Sequence, residues 1–200
     1  MLKFAASMAK EFNGKYALVT GAASGMGRIY ALRLSDMGYG LILADINEDA
    51  LDSLCDSISD VPVVQVCIDL ARRDAAAELA RIAAANDASV EILINNAGII
   101  FTSRICDTPS DKLGLMMDLH CTTPLLICRE FVPKMKEAGY GYVLNISSIC
   151  AWTSACSISF LVILFSILPI SLSRAVIFFS MAVFSDSRAA ISPTRESICF

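Results

Sequence analysis

The run Lys15-Tyr-Ala-Leu-Val-Thr20, followed at once by Gly21-Ala-Ala-Ser-Gly25-Met-Gly27, constrains the fold more than any other stretch of the chain. A short β-rich segment that ends in closely spaced glycines, with helical spacing starting near Gly25, reads as strand, tight turn and helix. Glycine lets a backbone turn sharply and approach a ligand closely, and a helix that starts there offers free N–H groups with a partial positive charge. One such turn is weak evidence by itself, so its meaning depends on the rest of the chain.

Beyond the turn, helical and strand patterns alternate. Met26, Ile29, Ala31, Leu32 and Leu34 recur at helical spacing, and Gly38 is placed to stop that helix. Gly40–Asp45 is a second apolar strand. Asn47 is placed to cap a helix that carries Leu51, Leu54, Cys55 and Ile58 on one face. Residues 61–69 read as a third strand, 72–86 as an alanine-rich helix and 90–98 as a fourth strand running into a turn. Residues 110–137 predict a long helix bent at Pro124, because proline removes a backbone donor, and 141–148 a fifth strand. Continuous apolar strands separated by amphipathic helices indicate a doubly wound α/β fold, Rossmann-like, with a parallel sheet covered on both faces.

In such a sheet, ligands sit beyond the carboxyl ends of the strands. Four features fall there: Gly21, Ser24, Gly25, Met26 and Gly27 after strand one; Asp45 at the end of strand two; Asp69-Leu70 after strand three; and Asn95-Asn96-Ala97-Gly98 after strand four. The glycine turn suits a pyrophosphate and Asp69-Leu70 an adenine. A carboxylate at Asp45 can accept both ribose hydroxyls of an adenosine and repels a 2′-phosphate, and no lysine or arginine occurs between it and Arg72, so NAD is favoured over NADP. Each feature has a plainer reading as well: Asp45 can begin the cap of the next helix, and Asp69 can cap 72–86.

The set TGAASGMG, Asp45, Asp69-Leu70, NNAG and NISS, in this order and spacing, resembles the short-chain dehydrogenase/reductase family from about Lys15 to Trp152. The resemblance implies an oxidoreductase that moves a hydride between NAD(P) and an alcohol or ketone. It implies Gly21, Ser24, Gly25, Met26, Gly27, Asp45, Asp69, Leu70, Asn96, Ala97 and Gly98 as cofactor contacts, and a sheet-stabilising role for Asn95. Family members also assemble as dimers or tetramers through the long helix and the C-terminal elements, so the resemblance admits a homo-oligomer as partner.

The catalytic match fails. The family moves the proton at the substrate oxygen with a tyrosine phenol, whose ordinary pKa near 10 is lowered by a neighbouring lysine. It adds a serine that holds the oxygen and an asparagine that maintains a relay water. By resemblance the serine is Ser148, otherwise a polar strand end. The asparagine position falls on His120, a residue able to donate and accept hydrogen bonds but just as fit for a satisfied structural place. The tyrosine position holds Phe160 or Leu161. The lysine, four residues on along the same helix face, is replaced by Leu164 or Phe165. No tyrosine occurs after Tyr142 and no lysine after Lys136 in these 200 residues, so impaired catalysis is expected. The rival is a non-catalytic dinucleotide-binding module.

Composition divides the chain at the same place. Hydrophobic residues make up 56%, above the roughly 45–50% usual for globular domains. The excess gathers where no charge occurs from Ala138 to Ser173 and no glycine after Gly141. We therefore read 1–152 as the NAD(P)-binding domain and 153–200 as an atypical Ser- and Phe-rich tail. Three readings of the tail stand open: a membrane-associated segment within 155–184, a diverged helix–strand tail, or the product of a shifted frame, chimeric assembly or unusual splice. A net charge of −4 gives no basic footprint for nucleic acid. Eight cysteines without a CxxC pair, a single histidine and an N-terminus without a signal-like apolar core point to reduced thiols, no metal site and the cytoplasm.

Overall fold

A computed structural model describes residues 11–101, 105–148 and 175–182. The apolar run after Lys15 forms the central strand β1 (Tyr16–Thr20), and the glycine turn leads into α1 (Gly25–Asp36). Next in the chain are β2 (Gly40–Asp45), α2 (Glu48–Cys55), β3 (Val63–Cys67), α3 (Ala75–Ala85) and β4 (Val90–Asn95). A 3₁₀ turn (Ile105–Asp107) then precedes α4 (Ser110–Met117). A single π-helical turn (Asp118–Thr122) joins α4 to α5 (Thr123–Ala138), and β5 (Gly141–Ser148) and β6 (Ala175–Ala182) complete the described elements.

All strand pairs are parallel, in the order β3-β2-β1-β4-β5-β6. This is the doubly wound arrangement, in which the reversal of strand order between β1 and β4 opens a crevice at the carboxyl edge. Successive residues of a strand face opposite sides, so the apolar runs fill two cores. Leu18, Ile42, Ala44, Val66 and Leu93 meet α3 and α5 through Leu79, Ile127 and Phe131. Ala17, Val19, Leu41, Leu43 and Ile94 meet α1 and α2 through Ala31, Leu34, Leu51 and Leu54.

Helix ends obey local chemistry. Asn47 accepts the Ala50 N–H at 3.1 Å and caps α2 as expected, and Gly38 takes a positive φ of 84° just past α1. Three expectations are corrected. Strand β3 is shorter than 61–69 because Pro62 has no N–H to add to a ladder. Helix α3 starts at Ala75 rather than at 72. Ile29, expected on the inward face of α1, is exposed, while Gly27, Ala31 and Leu34 face the core. Helical turns run unbroken from Ser110 to Ala138, as expected, and widen just before Pro124: the Thr123 N–H reaches back five residues to the Asp118 carbonyl. Among the described residues, no helix is long and apolar enough to cross a membrane. Apart from the β6 backbone, the tail of 153–200 lies outside the described residues.

Candidate functional site

The glycine turn is built around Thr20, the last residue of β1. Its hydroxyl is buried, donates to the Ile94 carbonyl at 3.3 Å, and receives the N–H groups of Asn96 at 3.0 Å and Ala97 at 3.1 Å. Two consecutive amides drawn to one oxygen end the β4 ladder at Asn95 and turn the next backbone units across the end of β1. Asn96 returns the grip: its side-chain amide donates to the carbonyls of Thr20 and Gly21, both at 3.0 Å. The Asn96 side chain is thus engaged in holding the glycine turn.

The glycines are there for close approach. Gly21 has a φ of 62°, and a Cβ added to it would stand 2.8 Å from the Ala97 Cα. A Cβ on Gly27 would collide with the Gly21 carbonyl oxygen. Ser24 precedes α1 in extended conformation without a side-chain cap bond, and the first turn of α1 contains no acidic residue. At α2, by contrast, Asn47 caps the end and Glu48 and Asp49 occupy the first turn. The positive end of α1 therefore faces the crevice uncompensated, with Ser24 and Gly25 exposed and Met26 half-buried beside them.

Asp45 braces the glycine turn and the approach to α2. One carboxylate oxygen accepts the Ala23 N–H of the glycine turn at 2.9 Å, and the other accepts the Asn47 N–H at 3.1 Å. A carboxylate has about four acceptor sites, so room for further donors is left. Asp69 is exposed and accepts from Ala71 at 2.9 Å; it does not cap α3, whose N-terminal position belongs to Asp74. Leu70 sends its side chain into the core, and its carbonyl accepts the buried Thr123 hydroxyl at 2.6 Å, tying the end of β3 to α5.

Asn95 links the two neighbouring strands, donating to the Asn145 side-chain oxygen at 2.8 Å and more distantly to the Cys128 sulfur at 3.7 Å. Its own side-chain oxygen is buried without a partner among the described residues. Burial pushes the Cys128 thiol above its ordinary pKa, against the opposing pull of the Asn95 amide.

The expected catalytic positions divide. The Ser148 backbone ends β5, opposite Ala182 of β6, and its side chain is not among those described. Phe160, Leu161, Leu164 and Phe165 lie outside the described residues. His120 sits in the π turn with its ring against Gly98, where an added Cβ would stand 2.5 Å from its Cε1. Its Nε2 lies 2.8 Å from the Ile99 carbonyl and 3.2 Å from the Ile99 amide. The five cysteines among the described residues are free thiols, and no cluster of three or more His, Cys, Asp or Glu among them is arranged to hold a metal.

The crevice thus joins the ends of β1, β2 and β4 through mutual hydrogen bonds. Sequence reasoning found Gly21, Gly27, Asp45 and Asn96. Thr20 and Asn145 stood in the TGAASGMG and NISS runs without an assigned role, and Thr123 was missed, since a threonine in the long helix carries no signal of its partner.

The family model for short chain dehydrogenases matches residues 15–159. An uncharacterized oxidoreductase of Staphylococcus aureus (strain MRSA252) is 32% identical over 135 residues, covering 68% of this chain and 58% of that protein. The epidermal retinol dehydrogenase 2 of Mus musculus is 32% identical over 142 residues, or 70% of this chain and 46% of that protein. A short-chain dehydrogenase from Sphingobium yanoikuyae, solved in complex with NADPH, superposes with a TM-score of 0.69 at 28% identity, covering 76% of this chain and 60% of that one. The chain spans about half the length of the curated relatives it matches.

Proposed function

This chain belongs to the short-chain dehydrogenase family, and from that premise we propose that it binds a nicotinamide dinucleotide in the β1–β2–β4 crevice for hydride exchange with an alcohol or ketone. The observation that carries the reading is the cradle at Gly21 and Gly27. Backbone approaches there that no Cβ would allow lie beside an uncapped helix end with no acidic residue in its first turn. These residues fit a pyrophosphate. Ser24, Gly25, Met26 and Gly27 would meet it with the α1 amides, while Asp69, Leu70, Ala97 and Gly98 would border the adenine and the nicotinamide end.

The bound nicotinamide supplies or accepts the hydride. The chain's part is to orient the dinucleotide and to handle the proton on the substrate oxygen, which Ser148 would hold by its hydroxyl. For the proton itself these 200 residues offer neither a tyrosine after position 142 nor a lysine after 136. The reading is therefore binding with impaired turnover, since loss of a positioned acid/base group forfeits roughly 10²–10⁴ in rate. An assay of NADH consumption across ketones, beside direct NADH titration, tests both halves. Tight binding with slow turnover is expected, and ordinary turnover contradicts the impairment.

We further propose NAD as the preferred cofactor, although the Sphingobium neighbour carries NADPH. Asp45, anchored by Ala23 and Asn47, would repel a 2′-phosphate if the ribose lies at the end of β2, and no cation occurs between it and Arg72. At least tenfold weaker binding of NADPH than of NADH is expected, about 1.4 kcal/mol, and equal affinities overturn the preference. The unpaired thiols among the described residues fit a reducing compartment, so we place the protein in the cytoplasm, which cell fractionation checks. We also propose self-association through α4 and α5, on whose outer faces Leu115 and Leu125 are exposed; sedimentation measures it.

A further inference from the structure

His120 has one ring nitrogen within reach of two backbone groups of opposite character. Its Nε2 stands 2.8 Å from the Ile99 carbonyl and 3.2 Å from the Ile99 amide. A ring nitrogen either carries a proton and donates or lacks one and accepts, so it serves only one of these groups at a time. The ring cannot slide away to serve both. It lies against the Gly98 backbone, close enough that a Cβ there would be 2.5 Å from Cε1, and it is carried on the π turn that joins α4 to α5. Ile99 continues directly from Ala97 and Gly98, whose backbone is drawn over β1 by Thr20.

Resting on the dinucleotide reading above, we propose that His120 is a positioning residue that holds the wall of the cofactor crevice through Ile99. It grips the carbonyl when Nε2 carries a proton and the amide when it does not. The protonated ring has only donors, so acidification fixes the grip on the carbonyl and releases the amide. The charged and titratable groups on the surrounding elements include Asp107, Asp111 and Lys112 at the start of this arm, Asp118 and Cys121 on the turn itself, Arg73 before α3, and Cys128, Arg129 and Glu130 on α5. Asp118 is paired with Arg73 at 3.8 Å, and the Lys112 ammonium lies over the Phe101 ring. Burial pushes the Cys121 and Cys128 thiols upward, which favours their neutral forms.

The test uses the fact that the chain has a single histidine. In the full chain, the ¹⁵N signals of the imidazole and of the Ile99 amide are tracked by NMR between about pH 5 and 9, beside NADH titrations. Any change in the imidazole signals with pH should be matched by a change in the Ile99 amide signal in the parent chain. It should be flat in His120→Asn, whose carboxamide offers an acceptor and a donor at once and holds both groups. His120→Ala, which holds neither, should bind NADH about fivefold more weakly than the parent, with His120→Asn within about twofold of it. An Ile99 signal indifferent to the imidazole overturns the proposal, as does a His120→Ala chain that binds NADH as tightly as the parent. A parent chain that binds no NADH at any pH sinks the dinucleotide reading instead, and the Ile99 signal still decides the grip.

Discussion

Thr20 and Asn96 do for the crevice what no glycine can do alone: they fix where its backbone lies. Thr20→Val keeps the shape and removes the oxygen on which two buried amides converge. Leaving buried donors unpaired costs about 1–3 kcal/mol each, so a loss of at least about 2 kcal/mol in urea unfolding is expected, with Thr20→Ser close to the parent. Gly27→Ala should abolish NADH binding, because the new methyl meets the Gly21 carbonyl rather than a side chain that can give way. Asp69→Ala, by contrast, removes one exposed bond to Ala71 and should leave unfolding within about 0.5 kcal/mol of the parent. The glycines and Asp45 were legible because their residue types are demanded by backbone approach and by charge. Thr20 was not, since a threonine ending a strand looks the same in sequence whether its hydroxyl meets water or two amides from 76 and 77 residues away.

At the scale of elements, the arm of α4, π turn and α5 shows where periodicity reads well and where it does not. The spacing of Ile127, Phe131 and Met135 marks the buried face of α5, and all three are in the core. The wide turn at Asp118–Thr122 left no periodic trace, because inserting one extra residue in a turn shifts the register without changing residue types. Cys128 on this arm allows a direct check of packing. Its thiol pKa is raised above the ordinary 9.0, chiefly by burial, so the neutral form is favoured in the folded state. The stability this gives is complete below pH 9.0 and is lost as pH rises through the raised value. Unfolding measured from about pH 8 upward should show an alkaline decline that Cys128→Ala reduces. In thiol labelling of the native protein, exposed Cys67 and Cys106 should react well before Cys128.

Across the whole molecule, the two-sided parallel sheet was legible from five apolar runs, and β2 and β5 fell on the residues expected. Which strands neighbour each other was not written in any local pattern; it came from the general habit of doubly wound sheets. A ligand that bridges β1, β2 and β4 stabilises only the assembled sheet. NADH at about 100 times its dissociation constant should therefore raise unfolding free energy by about 2.7 kcal/mol, seen as an upward shift in melting temperature that Gly27→Ala lacks. The clasp between Asn96 and the carbonyl of Gly21 spans 75 residues of chain. During synthesis, then, the amino-terminal glycine loop emerges long before its latch, and it waits unformed on the ribosome until β4 arrives. A dinucleotide that needs the closed loop would therefore find nothing formed to hold until β4 has been made.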